Sequence, residues 1–524
     1  MRRIGVDVGG TNTDAVLVSG REVRHAVKAP TTPDVTTGIT NALRALIDAT
    51  GVADVDLIAL GTTHFTNAVA AVQQLAPAAA VRLGYPASAG LPPFVDWPQP
   101  LRDAIGGTYF LCGGGHEYDG RPISQVDKEE LLRVAEEIRR AGIRSVAVSS
   151  VFSMVNPEAE REAAAVLADV IPDGFVSLSH EIGRVGLLER ENATILNAAL
   201  RPLARHVVGA VREALTTLAL RTPLFFTQND GTLMSVGHAE MFPVWTIASG
   251  PTNSMRGAAF LSALDDCAVV DIGGTTTDIG ILKGGFPREA STTVNVGGVR
   301  TNFRMPDVVS LPIGGGSLVT EDDNGAVTVG PASLGYELHS RGRAFGGDVL
   351  TASDLAIIEG RASFGAGLTP SGDERRTARL GLASIEARVA AAIDRMKTDA
   401  SDVPVVVVGG GSVLLPESLT GASVLVRPDH FAVANAVGAA IAQVGGVADR
   451  VFSLTEDSRE SALSRAKQDA IDRAVEAGAR RETVTVADVD EVTLGYLPGS
   501  AVRIRVKAVG EVDVSRARAE GREG

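Results

Sequence analysis

At 524 residues, 45% of them hydrophobic and 21% charged, the chain is too long for one ordinary core and too apolar to be disordered. It reads as about two to four globular domains. A formal net charge of −14 argues against nucleic acid or an anionic membrane surface as the main partner, and two widely separated cysteines, Cys112 and Cys267, exclude a disulfide framework and a CxxC metal site.

In chain order, Met1-Arg2-Arg3 passes directly into an apolar strand at 4–8, without the apolar core of a signal peptide. No run reaches the ~18 uninterrupted apolar residues of a membrane span, so a soluble cytoplasmic protein is expected. Residues 128–141 have helical periodicity, with Leu131, Leu132, Val134, Ala135 and Ile138 on one stripe, and 145–151 is a buried strand. Cys267 precedes the apolar strand of VVDIGGTTTDIGIL (269–282) and reads as a buried structural thiol. The Gly/Pro-rich middle, 300–347, holds IGGGS, VGPASLGYE and RGRAFGGD and reads as ordered cleft loops. A buried strand at 405–408 leads into Gly409-Gly410-Gly411, and ANAVGAAIAQVGG (434–446) is a run of small residues. Residues 459–478 form a charged helix with Ala462, Ala466, Ala470 and Ala474 on one face; strand-like segments at 483–486 and 501–506 and a frayed charged tail follow. Strands alternating with amphipathic helices argue for α/β layers.

The chain contains one loop twice. IGVDVGGTNTDAVLV at 4–18 aligns without gaps to the segment around 269–282: Asp7 with Asp271, Gly9-Gly10 with Gly273-Gly274, Thr11 with Thr275, Thr13 with Thr277 and Asp14 with Asp278, at a constant offset of 264. The offset is too long for a solenoid repeat and indicates a duplicated domain. Glycines after a buried strand bring bare N–H groups against an anion, threonine hydroxyls add donors, and a carboxylate beside phosphate becomes useful through Mg²⁺. A single copy reads equally as a strand-end turn, but two matched copies can grip phosphates from both sides. Neither copy has the G-x-G-x-x-G spacing or a GK[ST] sequence.

The order phosphate loop, second phosphate loop, adenosine loop (Gly409-Gly410-Gly411) resembles the actin, Hsp70 and sugar-kinase superfamily of ATPases. That resemblance implies a two-lobed actin-like α/β fold, with duplicated ribonuclease-H-like domains and ATP in the cleft between lobes. Within it, DVGGTNTDAVLV, GTTHFTNAV, YDGRP, FSMVNPEAE, ERENATILNAAL, QNDGTLMS, SGPTNSMRGA, DIGGTTTDIG and IGGGS resemble the hydantoinase/oxoprolinase family, hydantoinase A type, over nearly the whole chain. The expected division is a first lobe at 1–190, a second at 191–448 and a C-terminal helix with short strands at 449–524.

The family resemblance implies ATP-dependent opening of a cyclic amide or imide, such as a hydantoin, 5-oxoproline or a lactam, by phosphorylation of the carbonyl oxygen. Asp7 and Asp271 are then expected to hold Mg²⁺ through water. Gly9, Gly10, Thr11, Asn12, Thr13, Gly273, Gly274, Thr275 and Thr276 would hold phosphates, and Gly409, Gly410 and Gly411 the adenosine. On the substrate side stand Thr62, Thr63, His64 and Asn67, with Asn229, Gly315 and Gly316. His64 reads either as a donor to a carbonyl or phosphate or as a hydrogen-bonded strand-end histidine, and Asn229, Asp230, Ser249 and Gly250 read equally as turn residues. His116, His180 and His238 lack the spacing of a metal site.

The chain departs from the family in being shorter than its typical A subunits, and in running from VGPASLGYE into LHSRGRAFGGD in place of a GP and Gly-rich stretch. A hydantoinase B type partner subunit and an oligomeric assembly are implied. Rival readings are a small-molecule kinase, for which no carboxylate base stands out, and an ATP-driven activator or switch, for which cluster cysteines or a peptide-binding domain are wanting.

Overall fold

The computed structural model describes residues 1–9, 12–30, 35–51, 55–290, 293–365, 367–454, 458–495 and 501–520. Its architecture grows from two copies of one strand arrangement. In the first, β1 (Arg2–Val8) turns into antiparallel β2 (Asn12–Ser19) and lies parallel to β3 (Leu57–Thr62), which runs into helix α1 (His64–Ala70). The second copy follows helix α2 (Ser249–Ser262). There β4 (Cys267–Ile272) turns into antiparallel β5 (Thr277–Lys283) and lies parallel to β6 (Val403–Val408), and helix α3 (Ala434–Ile441) comes after it. The run at 405–408 is unbroken apolar sequence because both faces of its strand are covered, and in 4–8 the buried Ile4, Val6 and Val8 alternate with Gly5 and Asp7.

The first copy sits in a nine-stranded sheet built from residues 2–30, 57–62, 224–235, 443–453 and 485–510, so sheet membership cuts across the sequence segments. The second sits in a six-stranded sheet, with Val308–Leu311 on the outer side of β5. Helices Ala352–Ile358 and Gly372–Met396 cover that sheet, the latter started by a Ser371/Glu374 capping box. A third sheet, of four parallel strands, carries Ala78–Leu83 and Ser145–Ser150 at its centre. The 31-residue helix Leu187–Thr217 joins it to the first, and its buried Glu191 pairs with Arg82 (Nε to Oε2 2.8 Å) and accepts from Ser149 Oγ at 2.7 Å.

Three details differ from the sequence expectation. Helix Lys128–Arg140 buries Leu131, Ala135 and Ile138, but Leu132 is 46% exposed, one step round from the stripe. The strand placed at 483–486 runs instead from Thr485 to Thr493, after a 3₁₀ turn at Arg481–Thr483. The charged tail forms a helix, Val514–Glu520, on the C-terminal strand pair. The four alanines of helix Arg459–Glu476 are fully buried as expected, and they let the helix approach Gly446 so closely that a Cβ there would overlap the Ala474 amide.

The two copies meet where α2 crosses α3. A Cβ on Gly257 would overlap the Ala434 carbonyl, one on Gly438 the Asn253 carbonyl, and one on Gly5 the Ala436 carbonyl. Helix backbones that touch leave nowhere for a methyl group. Away from this crossing, Asp230 is buried between Lys507 (3.2 Å) and Arg304 (3.1 Å), and Glu289 between Arg184 and Arg505. Burial alone would raise the Asp230 carboxyl, but Lys507 and Arg304 outweigh it and hold it well below its usual range.

Gly438→Ala is expected to cost about 3 kcal/mol by overpacking, read as a lowered urea midpoint with an unchanged slope; a shift under 0.5 kcal/mol would contradict the crossing. Because Asp230 titrates lower in the folded than in the unfolded chain, its stabilisation is present above the unfolded value of 3.8 and lost as pH falls through the folded one. Asp230→Asn should therefore cost about 3–5 kcal/mol at pH 7 and flatten the decline of melting temperature below about pH 4.

Candidate functional site

Both hairpins close with the same turn. Gly9 N–H donates to Asn12 O at 3.0 Å, and Gly273 N–H to Thr276 O at 2.9 Å. The strand register then sets Asp7 opposite Asp14 and Asp271 opposite Asp278. In each copy a glycine in the neighbouring parallel strand, or directly after it, leaves room for the first carboxylate. A Cβ on Gly61 would stand 2.6 Å from Asp7 Oδ1, and one on Gly409 would overlap Asp271 Oδ1. Gly409 also has φ +84°, which favours glycine. Thr62-Thr63-His64 thus makes the passage from β3 into α1, as Gly409-Gly410-Gly411 follows β6. Gly10 and Thr11, expected at the phosphates, lie outside the described residues.

The carboxylates are held against their charge. Burial, then Asp14 and Asp271, push Asp7 up to about 7; Asn435 Nδ2 donates to its Oδ2 at 2.7 Å, while its Oδ1 is buried without a hydrogen-bond partner. Burial raises Asp14 too, opposed by Lys28 Nζ at 2.9 Å. It raises Asp271, opposed by the Ser254 hydroxyl, and pushes Asp278 up to about 6 despite a hydrogen bond from Ser310 Oγ. A buried, unpartnered carboxylate oxygen among further carboxylates fits a divalent cation. Among the described residues no three His, Cys, Asp or Glu side chains are grouped to hold a metal directly.

The second hairpin loop is walled on two sides. Gly411 N–H donates to Ile272 O at 2.8 Å, and Gly410 is exposed with open space around it. From the other side the IGGGS segment buttresses the loop: Gly315 N–H donates to Gly273 O (2.9 Å) and Gly316 N–H to Gly274 O (2.7 Å), and a Cβ on Gly314 would overlap the Thr275 amide. Both N–H groups expected to face substrate are therefore spent on the loop. Thr275 and Thr276 face solvent, Asn12 is half-buried and Thr13 is buried.

Of the expected substrate residues, Thr63 Oγ1 donates to Val8 O at 3.1 Å, tying the start of α1 to the first hairpin, and exposed Asn67 donates to Thr63 Oγ1 at 3.4 Å. His64 Nδ1 lies 2.7 Å from Thr62 Oγ1, and burial lowers its pKa, so the ring is neutral near pH 7. Asn229 is buried, with its N–H on Trp245 O (2.6 Å) and its carbonyl accepting from Thr252 Oγ1 (2.8 Å). Gly250, in the first turn of α2, would bring a Cβ to 3.8 Å from Thr63 Cγ2. Both cysteines are buried, Cys267 at the end of β4 far from the hairpin turn, and their thiols are pushed up to about 12 by burial.

Sequence reading did not single out Lys28, Gly61, Ser254 or Asn435 as site residues. Asn435 carries a signal, as a polar residue opening an otherwise apolar small-residue helix; Lys28 carries none, because it reaches Asp14 only through the pairing of β2 with strand Glu22–Pro30.

Family models described as hydantoinase/oxoprolinase N-terminal region and hydantoinase/oxoprolinase match residues 3–171 and 190–381, together more than two thirds of the chain. The chain is 30% identical over 363 residues to the caprolactamase subunit alpha of Pseudomonas jessenii, 64% of this chain and 51% of that one. It is 26% identical over 402 residues to the acetophenone carboxylase gamma subunit of Aromatoleum aromaticum (68% and 53%), and 25% over 284 residues to the 5-oxoprolinase of Saccharomyces cerevisiae (51% and 21%). It thus spans about half the length of the first two relatives. Its fold matches the crystal structure of the ATP-dependent caprolactamase from Pseudomonas jessenii with a TM-score of 0.77, at 22% identity over 97% of this chain and 87% of that one. It matches nucleotide-free acetone carboxylase with a TM-score of 0.69, at 15% identity over 98% and 88%. The expected two-lobed, actin-like α/β fold is borne out. No helix among the described residues is long and apolar enough to cross a membrane. With its duplicated aspartate hairpins and these matches along most of its length, the chain belongs to the hydantoinase/oxoprolinase family.

Proposed function

We propose that the chain is the ATP-using component of an enzyme that opens a cyclic amide or imide ring of the lactam, hydantoin or 5-oxoproline type. The observation that carries this reading is the pair of matched hairpins, each presenting a turn of small residues and an aspartate given room by a neighbouring glycine. Phosphoryl transfer asks the protein chiefly for positioning and charge neutralisation, and two facing loops offer both. An unstrained amide is a poor electrophile. Moving the γ-phosphoryl of ATP onto its carbonyl oxygen breaks the bond to the β-phosphate, releases ADP and leaves a carbon that one water attacks; the ring C–N bond then breaks to give an amine and an acyl phosphate, which a second water hydrolyses to the carboxylate and phosphate.

In this reading Asp7 and Asp271 would hold Mg²⁺ through water, and the ion would supply neutralising charge for the phosphates. Gly9, Gly10, Thr11, Asn12, Gly273, Gly274, Thr275 and Thr276 surround the phosphates, and Gly409 to Gly411 underlie the adenosine. If the Thr62 hydroxyl donates across its 2.7 Å contact with His64 Nδ1, Nε2 carries the hydrogen that a carbonyl or phosphoryl oxygen accepts. A neutral imidazole suits that task. Relatives named as subunits of caprolactamase and acetophenone carboxylase support a partner subunit, for which a hydantoinase B type chain is proposed. The carboxylase relatives favour a second reading, activation of a ketone for carboxylation.

The full chain with Mg²⁺ and ATP, alone and with its partner subunit, should show ATP hydrolysis stimulated by one of a set of lactams, hydantoins or 5-oxoproline, with a ring-opened, unphosphorylated product by mass. Stimulation only by a ketone with bicarbonate would replace this reading with the second, and a phosphorylated product would make the chain a kinase. Gly61→Ala is expected to lower turnover about 100-fold through displacement of the Asp7 carboxylate, with melting still cooperative; unchanged turnover would remove Asp7 from the site.

A further inference from the structure

Tyr336 keeps 78% of its surface exposed, where Leu91, the next of the exposed large hydrophobic residues, keeps 53%. A lone exposed aromatic is unremarkable; its place is not. Tyr336 lies in the single turn Gly335–Glu337, and that turn is fastened to the second hairpin loop. Leu334 N–H donates to Gly316 O at 2.9 Å, and Gly316 N–H to Gly274 O at 2.7 Å. Ser333 Oγ donates to Gly274 O at 3.4 Å and accepts from Gly335 N–H at 3.2 Å. A Cβ on Gly335 would stand 4.0 Å from Thr275 Cγ2.

The loop therefore has a tyrosine one residue from its Thr275 flank and, on its Ile272–Gly273 flank, the exposed, unobstructed backbone of Gly410. In the ATP reading above, a nucleotide with phosphates on 273–276 would carry its nucleoside past these flanks. A glycine floor offers a base one flat face, and an aromatic ring is the side chain that covers the other, since stacking removes apolar surface of both rings from water without demanding a donor pattern.

We infer that Tyr336 stacks on the base of the bound nucleotide and thereby positions it. This rests on the ATP reading above. The test is calorimetric binding of Mg²⁺–ATP and of inorganic tripolyphosphate to the full chain, for wild type, Tyr336→Ala and Tyr336→Phe. The alanine variant should bind ATP about tenfold more weakly, the phenylalanine variant as wild type does, and tripolyphosphate should bind all three alike. ATP affinity unchanged in Tyr336→Ala overturns the inference and leaves the exposed ring to a partner subunit. Equal loss in both variants, or loss of tripolyphosphate binding in Tyr336→Ala, overturns it in favour of a phenol hydroxyl on the phosphates. Wild type that binds tripolyphosphate but not ATP, or neither, overturns the ATP reading itself.

Discussion

The crossing of α2 over α3 is the contact on which the site depends. Gly257 and Gly438 let the two helix backbones meet, and Gly5 seats α3 directly on β1. From that position α2 supplies Asn253, whose amide reaches Thr227 Oγ1 at 3.0 Å beside Gly61, and then Ser254, which hydrogen-bonds Asp271. Helix α3 supplies Asn435 to Asp7. Consecutive positions on one helix thus serve the two halves of a duplicated site, so the spacing between the hairpins is fixed by backbone contact, which is stiffer than any side-chain contact.

That rigidity holds carboxylates where they are costly. Four aspartates gather at the hairpins, with Lys28 as a partly exposed counter-charge, and burial drives Asp7 and Asp278 up to about 7 and 6. A fold tolerates such groups when the rest of the structure leaves them no alternative, and their cost is what a bound cation relieves. The contrast with Asp230 is instructive. Asp230 is as deeply buried, but Lys507 and Arg304 face it and its carboxyl is driven down. Asp230 is satisfied by cations of its own chain and reads as structural; Asp7 has only the Asn435 amide on one oxygen, which is why it is proposed as a ligand-facing group.

Within the glycine-rich middle, composition pointed to cleft loops and the structure shows what the glycines do. Gly314 is small because the Thr275 amide presses on it, Gly316 is crowded by the Ser333 hydroxyl and the Gly274 carbonyl, and the N–H groups of Gly315 and Gly316 brace the Gly273 and Gly274 carbonyls. Residues expected to touch substrate thus brace a neighbouring loop, a role spacing in sequence does not reveal.

The duplicated loop was legible because its chemistry is local: strand, turn glycines, threonine and aspartate recur at fixed spacing, and period-two pairing places Asp7 opposite Asp14, and Asp271 opposite Asp278, without help from the rest of the chain. The buried alanine face of helix Arg459–Glu476 was legible for the same reason, its period of four being written in the sequence. By contrast, only tertiary structure decided that strands Gln443–Ser453, Thr485–Thr493 and Ala501–Gly510 join a sheet with β1 and β2, that Gly61 makes room for Asp7, that Asn435 reaches it, and that Tyr336 stands beside Thr275. Those relations join residues tens to hundreds of positions apart through helix crossings and sheet order, and no local periodicity encodes which distant backbone will arrive.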